Sequence, residues 1–137
     1  MARRVFLSFA VEDKSQVQGF RLLRWNNNVE VNFFDQSLLA PVQSTNINYI
    51  KQSILAKMEG TSVTVVLLGS TTSTSAWVAW EIEQSIEREN GLLGIRLKGQ
   101  DYAAVPKAMC VPNAKVGNWH PESFEDWIEQ AAQLAGR

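Results

Sequence analysis

The segment Thr61–Leu68 constrains the fold of this chain more than any other stretch. Its sequence, TSVTVVLL, is β-branched or apolar almost throughout and does not alternate with charged residues. Strands of this kind are buried on both faces, as they are in parallel sheets covered by helices on each side. The segment therefore predicts a central strand of an α/β fold that ends at Gly69.

Strand-like and helix-like segments alternate about four times along the chain. Further strands are predicted over 4–9, 29–34 and 92–97, with a short fifth strand near 108–111. Apolar residues at helical spacing predict the helices, and these residues are Val17, Phe20 and Leu23; Ile47, Ile50, Ile54 and Met58; Val78, Ile82 and Ile86; and Phe124, Trp127, Ile128, Ala131 and Leu134. The alternation predicts right-handed crossovers and a flavodoxin-like three-layer sandwich with a mostly parallel sheet of four or five strands.

Length and composition indicate one soluble, cytoplasmic domain over residues 1–137. The 13 basic and 14 acidic side chains give a net charge of −1, which does not favour binding to nucleic acid or to an anionic membrane. A single cysteine, Cys110, excludes an internal disulfide and favours a reducing compartment. No segment approaches the roughly 20 apolar residues that span a bilayer.

In open parallel sheets, ligands bind outside the carboxyl ends of the strands. Here those ends lie near Phe9–Ala10, Asp35, Gly69–Ser70 and Lys98, so Ser70 is a candidate ligand contact. Several other chemistries are excluded. One histidine and one cysteine cannot form the usual zinc site, so no metal is expected. The chain has neither a GxSxG motif nor a Walker loop, and His120, beside the start of the last helix, is expected to be a local cap or packing residue.

The third helix opens with an unusual aromatic and acidic stretch, STSAWVAWEI. At about 100° per residue, Val78, Ile82, Ser85 and Ile86 share the face that meets the sheet, and both tryptophans lie off it. Glu81 falls at the border of that face, one turn after Trp77. Periodicity leaves two interpretations open: the tryptophans cover loops beside an exposed acid, or Trp77 and Glu81 meet a ligand.

Three segments carry a resemblance to a known family. RRVFLSF, FFDQSL and SAWVAWEI resemble the TIR-like domains of bacteria, and among these the group that includes the signal-producing subunit of the Thoeris antiphage system. The resemblance covers about residues 3–98, the recognisable core. Residues 99–137, with the last helix, form a C-terminal extension without such a resemblance.

The resemblance implies a site and a reaction. The glutamate one turn after a tryptophan is the essential residue of NAD-cleaving TIR domains, which implies that Glu81 is catalytic and that Trp77 faces the ligand. By the same resemblance Ser8, Phe9 and Ala10 line the nicotinamide side. Asp35 and Ser37 lie at the rim or at a subunit contact.

The implied protein is an NAD glycohydrolase or cyclase that needs no cofactor, since NAD is its substrate. It releases nicotinamide and makes a cyclic or modified ADP-ribose signal that reaches a separate effector protein, and self-association is expected. One alternative is a non-catalytic TIR-like interaction module with Trp77 and Trp80 as interface anchors. A flavodoxin-like domain that binds another nucleotide is a further alternative.

Overall fold

The computed structural model describes residues 3–23, 25, 28–35, 42 and 45–137. In these ranges one parallel sheet has the strand order β2-β1-β3-β4-β5. The strands are β1 (Arg3–Ser8), β2 (Val29–Phe33), β3 (Val63–Leu68), β4 (Gly91–Arg96) and β5 (Ala114–Gly117). The predicted flavodoxin-like α/β architecture is confirmed.

Helices cover both faces of the sheet. They are α1 (Lys14–Arg21), α2 (Ile47–Met58), α3 (Ala76–Glu87) and α4 (Phe124–Leu134). Helices α1 and α4 pack on one face, while α2 and α3 pack on the other. Within the described ranges, none of the helices combines the length and the apolar character that crossing a membrane requires.

All six residues of β3 are buried, as the sequence predicts for a central strand. Successive side chains alternate between the two faces. Val63, Val65 and Leu67 enter the core beneath α1 and α4. Val66 and Leu68 pack beneath α3 on the opposite face. The same alternation in β1 directs Val5 and Leu7 to the first face and leaves Phe6 and Ser8 for the second.

The predicted position of the fifth strand was wrong. A 3-10 turn occupies Lys107–Met109, and β5 begins at Ala114. Pro112 explains the shift, because a residue without a backbone N–H cannot donate to the sheet, so regular pairing begins after it. The connection from β4 to β5 contains this 3-10 turn and no α-helix.

Three apolar residues assigned to buried helix faces are instead exposed. Ile47, Ile86 and Leu134 have exposed fractions of 58%, 41% and 53%. Ile47 is the first residue of α2, where the helix extends beyond its packing partners. Ile86 and Leu134 line an open groove beside the start of β4, where the ends of α3 and α4 pass the edge of the sheet. Periodicity identified the correct faces but not how far the sheet reaches beneath them.

Two loops at the carboxyl edge of the sheet are tied together by a side-chain network. The Gly69 N–H donates to the Thr72 hydroxyl at 2.8 Å, and that hydroxyl lies 3.4 Å from Asp13 Oδ2. A Cβ at position 69 would clash with the Asp13 carboxylate, so a larger residue there would have to displace that side chain. The network links the turn after β1 to the turn that leads into α3.

The close approach of β4 to α4 generates a stability prediction. A Cβ at position 91 would lie 2.4 Å from the Ala131 carbonyl oxygen, a backbone atom that cannot rotate away. We expect Gly91→Ala to lower the free energy of unfolding by about 1–3 kcal/mol, the usual range for overpacking. Urea denaturation measures this change.

Gly19→Ala is the matched control, because nothing lies within 4 Å of a Cβ at that exposed position in α1. Alanine has the higher helix propensity, so this variant is expected to gain roughly 0.5–1 kcal/mol. Equal effects of the two substitutions would contradict the packing of β4 against α4.

Candidate active site

The start of α3 is fixed by its own cap. The Ser75 hydroxyl accepts a hydrogen bond from the Val78 N–H at 3.2 Å, which satisfies one of the unpaired donors at the helix terminus. Ser75 follows directly on a 3-10 turn, Thr72–Thr74, that leads from the end of β3. The helix therefore begins at the carboxyl edge of the sheet, with Trp77 and Glu81 one turn apart on it.

Glu81 is buried, with an exposed fraction of 6%. Its Oε1 accepts a hydrogen bond of 2.6 Å from the Ser8 hydroxyl at the end of β1. The sequence placed this residue at the border of the core, and that placement was wrong. The Glu81 carboxyl group is therefore part of the packing between α3 and the sheet, which an exposed acid would not be.

The burial of Glu81 follows from the packing of α3 on two sides. Val78 and Ile82 enter the cluster beneath α3, as predicted. Trp77 and Trp80 do not project away from the protein, but pack against a separate cluster formed by Phe6 of β1 and residues of α2. Their rings meet edge to face with centroids 5.9 Å apart. Glu81, one turn after Trp77, is thereby enclosed between the two clusters.

The main chain of Glu81 is also held by side chains. The Ser85 hydroxyl donates to the Glu81 carbonyl oxygen at 2.8 Å and lies 2.5 Å from the Thr64 hydroxyl of β3. All of these groups are buried. The turn of α3 that carries Glu81 is therefore attached to β3 through its backbone and to β1 through its carboxylate.

A small cavity of about 60 Å³ opens beside Glu81 at the carboxyl edge of the sheet. That volume holds roughly two water molecules at about 30 Å³ each. Its walls come from the end of β1, the start of α1, the end of β2, the middle of α2 and the start of α3. The lining residues are Leu7, Phe9, Val11, Lys14, Phe34, Asp35, Ile50, Ile54, Ser75, Trp77 and Glu81.

The charged groups that line this cavity are Glu81, Lys14 and Asp35. Lys14 and Asp35 form an ion pair with Nζ 3.0 Å from Oδ2. The remaining walls are mostly apolar or aromatic. The cavity lining thus combines the buried Glu81 carboxylate, the Lys14–Asp35 ion pair and the aromatic side chain of Trp77. Such a lining suits a flat, cationic ring.

The structure brings four of the predicted site residues to this cavity. Phe9, Asp35, Trp77 and Glu81 line it. Ser8 contacts Glu81 from the sheet side and is not among the lining residues.

Two other predicted contacts are described and do not line the cavity. Ala10 is buried and does not line the cavity. Ser70 is exposed and is also absent from the lining. Ser37 lies outside the described residues.

Sequence reasoning missed Lys14, Ile50 and Ile54 as site residues. Lys14 follows the 3-10 turn Val11–Asp13, which comes shortly after β1. Its position at the carboxyl edge of the sheet could therefore have been predicted from the sequence. The two isoleucines were predicted as core residues, and both are buried. Their second role as a cavity wall depends on how α2 lies against α3, which spacing within one helix does not reveal.

Burial raises the pKa of Glu81 from 4.5 to about 8, and the hydrogen bond from Ser8 offsets part of that rise. Desolvation dominates because the buried charged form loses most of its contact with water. Asp13, in the network beside Gly69, also has a raised pKa, again because of burial. Of the two, Glu81 is the carboxyl group that lines the cavity.

Other reactive residues lie away from this cavity. His120 contacts its own neighbours, with Nδ1 2.8 Å from the Ser123 hydroxyl and Nε2 3.4 Å from Glu122, in keeping with a local role. Cys110 is a free, exposed thiol. Among the residues that the structure describes, no group of three or more His, Cys, Asp and Glu side chains could hold a metal ion.

The raised pKa of Glu81 predicts a pH-dependent cost to stability. The folded state keeps the proton up to a pH of about 8, whereas the unfolded state releases it near 4.5. Stability contributed by this residue is therefore greatest below about pH 4.5 and falls as the pH rises towards 8. Glu81→Gln, which stays neutral, should differ from the wild type by less than about 1 kcal/mol near pH 5 and exceed it by a few kcal/mol near pH 9.

Urea unfolding of both proteins from pH 5 to 9 measures this difference, and every other titrating group cancels in the comparison. A difference that stayed constant across this range would show that Glu81 does not change its protonation state there.

Two comparisons with known proteins bear on this site. The family model described as the TIR-like domain of the Thoeris protein ThsB matches residues 6–102. A similar protein is ThsB1 of Bacillus cereus (strain MSX-D12), which is provisionally named a cyclic ADP-D-ribose synthase. It is 35% identical over 102 residues, which cover 71% of this chain and 53% of that protein, so the chain spans about half the length of this relative. With the β1, α2 and α3 walls of the cavity inside the matched region, the chain belongs to the ThsB family of TIR-like domains.

Proposed function

We propose that this protein cleaves NAD at the bond between nicotinamide and ribose, with Glu81 as the catalytic residue. The observation that carries the proposal is the buried Glu81 carboxylate facing a cavity at the carboxyl edge of the sheet. Membership of the ThsB family and the provisional name of the Bacillus cereus relative support the same substrate.

A single carboxylate suffices for this chemistry. Glycosidases need a second carboxyl group because an alkoxide leaving group must be protonated. Nicotinamide leaves as a neutral molecule, taking the electron pair of the C1′–N bond, and needs no proton. The positive charge that develops on the ribose is stabilised by the ionised Glu81 carboxylate in a site of low dielectric.

Capture of C1′ then completes the reaction. Water would add to C1′ and release a proton, giving ADP-ribose. A hydroxyl or ring nitrogen of the same nucleotide would instead close a ring. The name of the Bacillus cereus relative favours a cyclic product. We propose that a cyclic or modified ADP-ribose is released as a signal in antiphage defence and acts on a separate effector protein.

The cavity must widen before NAD can react. A space of about 60 Å³ has room for roughly two water molecules, much less than a nicotinamide ring with its ribose needs. The Lys14–Asp35 ion pair joins two of the cavity walls, those from α1 and β2. We propose that substrate entry separates these walls and that the closed form is a resting state, with self-association as one means of opening it.

A non-catalytic interaction module is the second candidate, and the structure offers it less support. That hypothesis uses Trp80 as an exposed interface anchor. Trp80 is half-buried, packs against the cluster of Phe6 and α2, and has Lys51 Nζ 5.6 Å from its ring centroid. Part of its apolar surface is therefore already engaged within the chain.

Replacement of the carboxylate tests the catalytic role. Glu81→Gln preserves the shape of the side chain and removes its charge, so we expect nicotinamide release from NAD to fall at least about 100-fold. Glu83→Gln is the matched control, since Glu83 lies two residues further along α3 and is exposed. Nicotinamide and nucleotide products are measured by mass spectrometry, with the purified protein alone and with lysate from phage-infected cells.

Full activity in Glu81→Gln would exclude Glu81 as the catalytic residue. Unchanged NAD in every arm, together with retained defence by Glu81→Gln in cells, would favour the interaction module.

The burial of Glu81 also predicts the pH dependence of the reaction. Only the ionised carboxylate stabilises the developing charge, so kcat/KM should rise with pH and level off above about 8, the pKa of this residue in the free protein. A steady-state series from pH 6 to 10 measures this limb. A plateau already present at pH 6 would contradict a protonated resting state.

A further inference from the structure

We propose that Ser8 is a positioning residue that holds one oxygen of Glu81 from the sheet side and leaves the other oxygen for the substrate. This inference rests on the proposed function. It replaces the role that the sequence suggested for Ser8, which was direct contact with nicotinamide.

The placement of Ser8 separates it from the cavity. Ser8 is the last residue of β1 and has an exposed fraction of 0%. Its neighbours Leu7 and Phe9 both line the cavity, whereas Ser8 does not. Its side chain instead points between the sheet and α3, where the hydroxyl meets Glu81 Oε1 at 2.6 Å. Ser8 thus lies behind the carboxylate as seen from the cavity.

The two oxygens of Glu81 have different surroundings. Oε1 accepts the short hydrogen bond of 2.6 Å from the Ser8 hydroxyl. Within the described part of the chain, Oε2 receives no hydrogen bond. With Oε1 bonded to Ser8 and the Glu81 side chain lining the cavity, Oε2 is the oxygen left for a ligand.

The pairing of β1 with β3 holds Ser8 in a fixed position. Ser8 pairs with Val66 of β3, so its backbone lies inside the sheet. On the same face, Thr64 of β3 bonds Ser85, which uses its own proton on the Glu81 carbonyl oxygen. Adjacent strands therefore hold the carboxylate and the backbone of the same residue, which fixes the side chain at both ends.

Among the described groups around Glu81, Ser8 is the one that hydrogen-bonds its carboxylate. Lys14 from α1 and Asp35 after β2 share the cavity and are paired with each other, so their fields partly cancel. Helix α2 contributes the apolar Ile50 and Ile54, and β3 contributes the Thr64 hydroxyl to Ser85. Loss of the Ser8 hydroxyl would therefore remove a hydrogen bond that favours the ionised form of Glu81, and the pKa of Glu81 would rise.

The experiment compares Ser8→Ala with wild type in two independent measurements. The first is the titration of Glu81 by NMR with ¹³C-labelled glutamate, in which the signal absent from Glu81→Gln identifies the residue. We expect the midpoint in Ser8→Ala to rise by about one pH unit, since the hydrogen bond favours the charged form. The second is kcat/KM for NAD from pH 6 to 10, in which we expect about a tenfold loss at pH 7 that largely disappears at pH 10.

Thr64→Val is the control for loss of a buried hydroxyl, because Thr64 is on the neighbouring strand and does not touch the carboxylate. It is expected to lower stability without moving the Glu81 midpoint. Ser8→Cys retains side-chain volume with a weaker donor and should give a smaller shift in the same direction, which keeps the test decisive if the alanine variant folds poorly.

An unchanged Glu81 midpoint in both Ser8 variants would overturn the positioning role. So would a loss of activity that is the same at every pH, which would indicate a purely structural effect. The NMR titration needs no NAD, so it decides the role of Ser8 even if no variant cleaves NAD. Absence of NAD cleavage in every variant, together with retained defence by Glu81→Gln in cells, would refute the proposed function instead.

Discussion

The hydrogen bond between Ser8 and Glu81 is the interaction on which the proposed site depends. It joins the end of β1 to α3 across the face of the sheet and holds a carboxylate that burial would otherwise destabilise. A buried carboxyl group with one hydrogen bond is costly, because one neutral donor does not replace the water lost from a charge. The buried carboxyl group that carries this energetic cost lies at the carboxyl edge of the sheet, where ligands of such folds bind.

The packing of α3 explains how Glu81 is kept buried despite this energetic cost. The helix has two apolar sides, one formed by Val78 and Ile82 and the other by Trp77 and Trp80. Each side meets a different cluster, and Glu81 lies between them. The tryptophans therefore enclose the carboxylate by packing against β1 and α2. Trp77 additionally lines the cavity, so a single side chain serves both the core and the site.

Much of the fold could be predicted from sequence because its signals are local. The continuous apolar character of β3, the alternation of strands and helices and the aromatic and acidic opening of α3 are each read within about ten residues. The position of the fifth strand is a local error, and the other errors concern contacts between distant segments. The fifth strand was misplaced beside Pro112, and Ile86 was assigned to a core that the sheet does not reach. Lys14 was overlooked because its partner, Asp35, lies in a distant segment that follows β2.

The sequence by itself determined the α/β class, the strand ends at which a ligand can bind and the one-turn spacing of Trp77 and Glu81. These follow from side-chain periodicity, which is a property of the chain alone. The tertiary structure decided that Glu81 is buried, that its partner is Ser8 and that Ile50 and Ile54 wall the cavity beside it. Protonation and orientation depend on which groups from other segments surround the carboxylate, and those groups meet only when β1, α2 and α3 pack together.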